Sequence, residues 1–246
     1  MAIENVQQLL RAGVIMLALK LGQSLVSSNS PGGWSPDDES TLEAWYQNQV
    51  GITLNGSDVS QWTDSSISGH DMVQATAVEQ PAYSAGSLTF VSHPPPAIST
   101  NLQTAGQISL TGDFTIALRI NTTTTNGTFL GDNTSTSEFF KYSGAAFNRI
   151  AFKIAGSAST NLDLDSGTFG DDYIVLTRVS DVVVLFKNGV RQTGTTPTVA
   201  GTSLIDVIGI RRTDTNGFDG TIKEIQIYSS SSSELTDNVN DRLSTL

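Results

Sequence analysis

Apolar residues recur every third or fourth position at the start of the chain. Ile3, Val6, Leu10, Val14, Leu17, Leu21 and Leu25 draw one stripe on a helix over Ala2–Val26. Ile15, Met16 and Leu19 lie off that stripe, so the middle of the helix is apolar nearly all round. From about Leu42 the period falls to two. Phe114, Ile116, Leu118 and Ile120 alternate with Thr115, Ala117 and Arg119, and Ile150, Phe152 and Ile154 with Ala151 and Lys153. Tyr173–Arg178, Val182–Lys187, Ile205–Arg211 and Thr221–Tyr228 are further short runs rich in β-branched residues. Asn188-Gly189 stands between two apolar runs, the strongest short hairpin signal, and predicts that Val182–Phe186 pairs with Val190–Thr193. Many short strands without intervening helical patterns predict an all-β, antiparallel two-sheet sandwich. Leu235, Val239 and Leu243, four apart after a five-serine run, predict a short C-terminal helix laid back on it.

Three segments follow. Residues 1–26 form the helix and residues 27–41 a linker, broken by Pro31, Gly32, Gly33 and Pro36, whose Trp34 is expected to dock on a neighbouring surface. Residues 42–246 form the β domain with its helical tail. The unbroken apolar run of the first segment is Ala12–Leu19, between Arg11 and Lys20, too short to span a bilayer. Glu4, Lys20 and the lack of a small-x-small site argue against a signal peptide. The expectation is an uncleaved assembly helix. Its residues Ile3, Val6, Leu10, Val14, Leu17 and Leu21 bury against other copies or a larger assembly, making the protein a homo-oligomer of unfixed number.

Charge then narrows the partners. The net charge is −11, and Lys and Arg are absent between Lys20 and Arg119, so phosphate backbones are repelled and nucleic acid is not an expected partner. Cysteine is absent, which removes disulfides, thiolate metal sites and cysteine nucleophiles.

Several ordered motifs carry a family likeness. Asp58-Val-Ser-Gln-Trp62-Thr-Asp64-Ser, Ser68-Gly-His-Asp71 and Gln80-Pro-Ala-Tyr83 resemble the opening of laminin-G-like, concanavalin A-like lectin domains. Val184-Leu-Phe-Lys-Asn-Gly189-Val is similar to that family's central hairpin. Ile208-Gly-Ile-Arg211 and Gly217-Phe-Asp-Gly-Thr-Ile-Lys-Glu-Ile-Gln-Ile-Tyr-Ser229 are similar to its closing strands. The likeness runs from about Leu42 to Tyr228. It implies a jelly roll of two curved sheets that holds carbohydrate or protein, of a kind found in phage structural and bacterial surface proteins. The fold alone does not decide function.

Candidate chemistry is sparse. His70 and His93 are the two histidines, in no metal-binding spacing, and no phosphate-binding glycine loop occurs. Glycoside hydrolysis needs two flanking carboxylates. The E-x-D-x-x-E strand pattern that related glucanases carry is absent among the seven glutamates. Asp163 and Asp165 precede a turn, and Asp171-Asp172 fits a strand start. The chain is therefore expected not to be an enzyme. Two loops, Gly131-Asp132-Asn133-Thr134 and Thr213-Asp214-Thr215-Asn216, offer oxygen ligands for a sugar or for calcium, the one cofactor this allows. Asp132, Asn133, Asp214 and Asn216 are the candidate ligand-binding residues, although Asp and Asn are also ordinary turn formers. The expected function is a non-enzymatic virion structural protein, a capsid decoration or tail appendage displaying a lectin-like domain. The alternative is a secreted or cell-surface carbohydrate-binding module, with a glycan hydrolase ranked below both.

Overall fold

The computed structural model describes residues 33–94, 97–133, 138–154, 157–211 and 217–246. The expected assembly helix of residues 1–26, linker residues 27–32, and the candidate ligands Asp214 and Asn216 lie outside them. Residues 36–246 form one compact unit.

The chain runs through β1 (Leu42–Tyr46), β2 (Ile52–Asn55), β3 (Asp58–Trp62), β4 (Met72–Val73), β5 (Ala82–Ser84) and β6 (Ser87–Phe90). There follow β7 (Leu102–Leu110), β8 (Phe114–Thr122), β9 (Gly127–Gly131), β10 (Phe139–Ser143), β11 (Arg149–Lys153) and β12 (Thr160–Asp163). The last strands are β13 (Asp171–Val179), β14 (Val182–Lys187), β15 (Val190–Arg191), β16 (Ser203–Ile208) and β17 (Gly220–Tyr228), before helix α1 (Ser233–Ser244). All strand pairings are antiparallel and join into one continuous sheet. One arm has the order β12-β11-β10-β9-β16-β7-β4-β3-β2 and the other β15-β14-β13-β8-β17-β1. The arms are linked where β3 meets β5, β5 meets β6 and β6 meets β17. A continuous sheet thus takes the place of two separate ones.

The predicted alternation explains why the arms share a core. Phe114, Ile116, Leu118 and Ile120 of β8 are buried, and so are Phe140 and Tyr142 of β10 with Ile150 and Phe152 of β11. The Phe114 ring meets Phe140 edge-on at 6.2 Å, and Phe140 stacks on Phe152 at 6.0 Å. Arg178 is fully buried at the end of this core. It donates to the carbonyls of Leu110, Gly112 and Gly201 and lies over the Phe114 ring. Its charge is met by carbonyl dipoles, and burial lowers its pKa.

The predicted hairpin forms through Phe186↔Arg191 and Lys187↔Val190, with Asn188 and Gly189 both at positive φ, as a type I′ turn requires. The run Ile205–Arg211 ends as a strand at Ile208, because Gly209 turns to φ 95°. Arg211 is thereby released from the alternation expected of a strand. The lectin-like opening motif is a folding device. Asp64 accepts from the Trp45, Ser66 and His70 backbone N–H groups, and Asp71 from the Asp64 N–H and the Gln61 amide. Helix α1 is capped by the Ser232 hydroxyl, which accepts from Leu235 N–H at 3.0 Å. It buries Leu235, Val239 and Leu243 against β8 and β13, as the fourfold spacing predicts.

Candidate functional site

The side of β10 opposite its core residues carries the candidate site. Phe140 and Tyr142 point inward, so Phe139, Lys141 and Ser143 face the other way. Cross-strand pairing places Lys153, Ala151 and Arg149 of β11 beside them, and Gly131 of β9 opposite Phe139. Gly131 in turn pairs with Val207 of β16, which pairs with Gln103 of β7 and, through it, with Val73 of β4.

At the end of β9 the ladder between β16 and β7 breaks. Ile205 pairs with Ile108 and Val207 with Gln103, leaving Asp206 and Gln107 in the irregular stretch. Such interruptions re-aim side chains. Here the Gln107 amide donates to Asp132 Oδ1 at 3.0 Å and to Asp206 Oδ2 at 3.5 Å, joining two buried carboxylates. Asp206 Oδ1 accepts from Asn133 N–H at 2.6 Å, and the Asn133 amide donates to Gln103 Oε1 at 3.0 Å. Gln103 donates to Asn101, whose Oδ1 also accepts from Gln74, and Gln74 donates to Glu79. A row of carboxylates and amides therefore crosses the face, each held by its neighbour. Glu138 braces the β9–β10 end, accepting from Leu204 N–H at 2.8 Å.

Two of the four predicted ligand residues, Asp132 and Asn133, lie in this row. Sequence spacing missed Gln74, Asn101, Gln103, Gln107 and Asp206, scattered over more than 130 positions and assembled by strand pairing. No local motif marks them. Among the described residues, no group of three or more His, Cys, Asp or Glu side chains is placed to hold a metal ion. Gln103, Gln107 and Asn133 are the half-buried members of the row, and each of their side-chain amides carries both a donor and an acceptor.

Beside the row, Phe139 sits under two cations. Lys141 Nζ is 5.4 Å and Arg211 Cζ 4.6 Å from its ring centroid. Arg211 reaches this place because Gly131 has no side chain. A Cβ there would lie 2.3 Å from the Ile210 carbonyl oxygen and 3.1 Å from Arg211 Cα. Lys141 donates to Asn126 Oδ1 at 3.1 Å. Burial, and then the Arg211 charge, lower the Lys141 pKa; burial lowers that of Arg211.

The carboxylates that the sequence offered as a hydrolytic pair are committed elsewhere. Asp163 pairs with Arg149 Nε at 2.6 Å, and Asp165 accepts from Thr193 N–H and hydroxyl. Those bonds hold the Asp165 pKa below its ordinary value. An open groove of about 440 Å³ runs along this edge, lined by Thr160, Asn161, Asp163, Thr195 and Pro197. Asp171 and Asp172 begin β13 as expected and pair with Arg119 and Lys187. His70 contributes its backbone, donating to Asp64 and accepting from the Tyr46 hydroxyl at 2.7 Å.

No protein-family model and no curated protein matches the sequence. Solved structures do resemble the fold. A native heptameric SAP-like pentraxin from Limulus polyphemus superposes with a TM-score of 0.51 at 12% identity, over 65% of this chain and 80% of that one. Trypanosoma rangeli sialidase, in its complex with sialic acid, gives 0.55 at 12% identity over 90% of this chain and 35% of its own. A botulinum neurotoxin type C structure, concerned with cell entry through two ganglioside molecules, gives 0.50 at 14% identity over 83% of this chain and 51% of its own. The chain thus spans about a third of the sialidase and half of the toxin chain. At these identities the likeness is one of fold, and the fold it shares is of the jelly-roll, concanavalin A-like lectin type.

Proposed function

We propose that the protein is a non-enzymatic carbohydrate-binding module, a jelly-roll lectin that engages glycans through Gln103, Gln107 and Asn133, the half-buried members of the polar row, which the buried Gln74, Asn101, Asp132 and Asp206 hold in place. The observation that carries this reading is the row itself. Planar amides and carboxylates are fixed by mutual hydrogen bonds on a sheet face, and fixed polar groups recognise hydroxyls without an ordering cost on binding. The fold neighbours support it, since a pentraxin and a ganglioside-dependent toxin share this architecture. Binding is favoured over turnover. Asp206 and Glu138 are engaged by backbone N–H groups, and Asp163 and Asp165 by Arg149 and Thr193, so each serves the fold.

A cell-surface or extracellular setting fits glycan binding. The virion setting finds no support in the comparisons and rests on the family likeness and on residues 1–26. The heptameric pentraxin favours self-association of this chain as well.

The test is a glycan array probed with the full chain, in calcium and again in chelator, beside the Gln103→Ala and Asn133→Ala variants. Reproducible binding that either substitution weakens by about tenfold supports the reading, at the worth of one or two hydrogen bonds. No binding in either condition overturns it, as does binding that both variants retain in full. Loss of binding in chelator would add calcium as the cofactor.

A further inference from the structure

The strands that end the two arms each leave one row of backbone groups without a ladder. Three of these edges are guarded. On β12 the Asp163 N–H donates to the Thr195 hydroxyl at 2.7 Å. β15 is two residues long and carries Arg191. On β1 the Trp45 N–H donates to Asp64 Oδ1, and its carbonyl accepts from Ser65 N–H. Sheets blunt their edges in such ways because an open edge pairs with another chain.

β2 is not guarded. It pairs with β3, and among the described residues no strand pairs with its other side. The Gly51 carbonyl accepts from Thr63 N–H and the Thr53 carbonyl from the Ser60 hydroxyl at 3.1 Å, so both aim at β3. Alternation therefore turns the Ile52 N–H and C=O outward. Leu54 is turned outward as well, since its partner Val59 gives its N–H to the Pro81 carbonyl. Side chains add to this. Ile52 packs in part on the core, while Leu54, opposite the buried Val59, stays 49% exposed. No charged residue stands between Glu43 and Asp58, in a chain of net charge −11. Two copies of an acidic protein can bring this strand together without opposing carboxylates on it.

We infer that β2 is the contact between two copies of this chain, paired antiparallel about a two-fold axis at Thr53. In that register Ile52 lies opposite Leu54 of the second copy, and Leu54 opposite its Ile52. Every outward donor on one edge then meets an outward acceptor on the other. The exposed Leu54 gains an isoleucine as its cross-strand neighbour. A slip by one residue would lose both matches. Thr53 shares its face with Gln61, Val73 and Gln103, and an axis normal to the sheet keeps that face of both copies on one side. Both polar rows therefore face the same way, and on the carbohydrate reading the pair meets a glycan-bearing surface twice. The pairing itself does not rest on that reading.

The test is the mass of the full chain in solution, by sedimentation at concentrations up to about 100 µM, where even a weak pair forms. The expected particle holds an even number of copies. Leu54→Lys should halve it, and Val190→Lys, the same change at an exposed valine of the other arm, should leave it unchanged. Thermal melts check that both variants fold. A second variant reads the register directly. The two Thr53 residues face each other without ladder bonds, with Cα atoms about 4.5 Å apart, a span that a disulfide bridges. The chain has no cysteine, so Thr53→Cys, treated with oxidised glutathione, should yield a covalent dimer that Val190→Cys does not. A monomer, an odd number of copies, or a mass that Leu54→Lys leaves intact overturns the inference. Equal losses in the two lysine variants, or equal cross-linking of the two cysteine variants, overturn it too. All of these outcomes leave the glycan array to decide the carbohydrate reading by itself.

Discussion

Arg242 grips Glu224 through two nitrogens, with Nε 2.5 Å from Oε1 and an Nη 3.0 Å from Oε2. The Glu224 side chain is fully buried, whereas that of Arg242 keeps 23% of its surface. Glu224 also accepts from the Trp45 indole at 3.1 Å, from Asn48 N–H and from the Gln226 amide, and Arg242 lies over the Trp45 ring. One carboxylate thus ties together β1, β17 and the last turn of α1. The cation also stands where a helix C-terminus favours positive charge.

Removing the cation should cost more than removing the pair. Arg242→Ala leaves a buried carboxylate without its counter-charge, at about 3 kcal/mol, a fall in Tm of roughly 6–12 °C for a domain of this size. Adding Glu224→Gln should recover part of that loss, because the uncompensated charge is gone. Thermal melts of the two single variants and the double variant check this. A double variant less stable than Arg242→Ala by the whole cost of Glu224→Gln would contradict the charge argument.

Three tyrosines predict how the fold ends at high pH. Burial raises the pKa of Tyr46, Tyr142 and Tyr228, helped by the charges of Asp64 and Asp71 at Tyr46, of Asp172 at Tyr142, and of Glu39 and Glu224 at Tyr228. Their folded values exceed the unfolded value of about 10. The stability this contributes is therefore whole below that pH and is lost as pH rises above it. Absorbance at 295 nm, titrated upward, should show these three phenolates appearing together with loss of the near-ultraviolet dichroism. Their appearance in a protein that keeps its dichroism would contradict it.

The strands were legible because the large apolar side chains of each lie on one face. Alternation in β8 and β11, and Asn188-Gly189 between β14 and β15, report local geometry that a sequence carries directly. The site was legible only in part. Asp132 and Asn133 stand out as a loop pair, but Asp206 lies inside an apolar run and Gln103, Gln107 and Asn101 look like ordinary strand and loop residues. What brings them together is a break in pairing between β16 and β7, a long-range feature with no local mark. Arg211 was misplaced for a related reason. Its run looked like strand up to Arg211, and the turn at Gly209 sends it across Gly131 instead.

Gly131 is the pivot of that crossing, so its substitution tests how close the approach is. In Gly131→Ala the new methyl meets the Ile210 carbonyl oxygen and the Arg211 backbone, neither of which is the yielding end of a side chain. The backbone at 210–211 must shift, at about 1–3 kcal/mol. Arg211 should leave the Phe139 ring. The variant is expected to fold with a Tm lowered by several degrees, read from a thermal melt. A Tm within a degree of the parent would mean that the close approach is not tight.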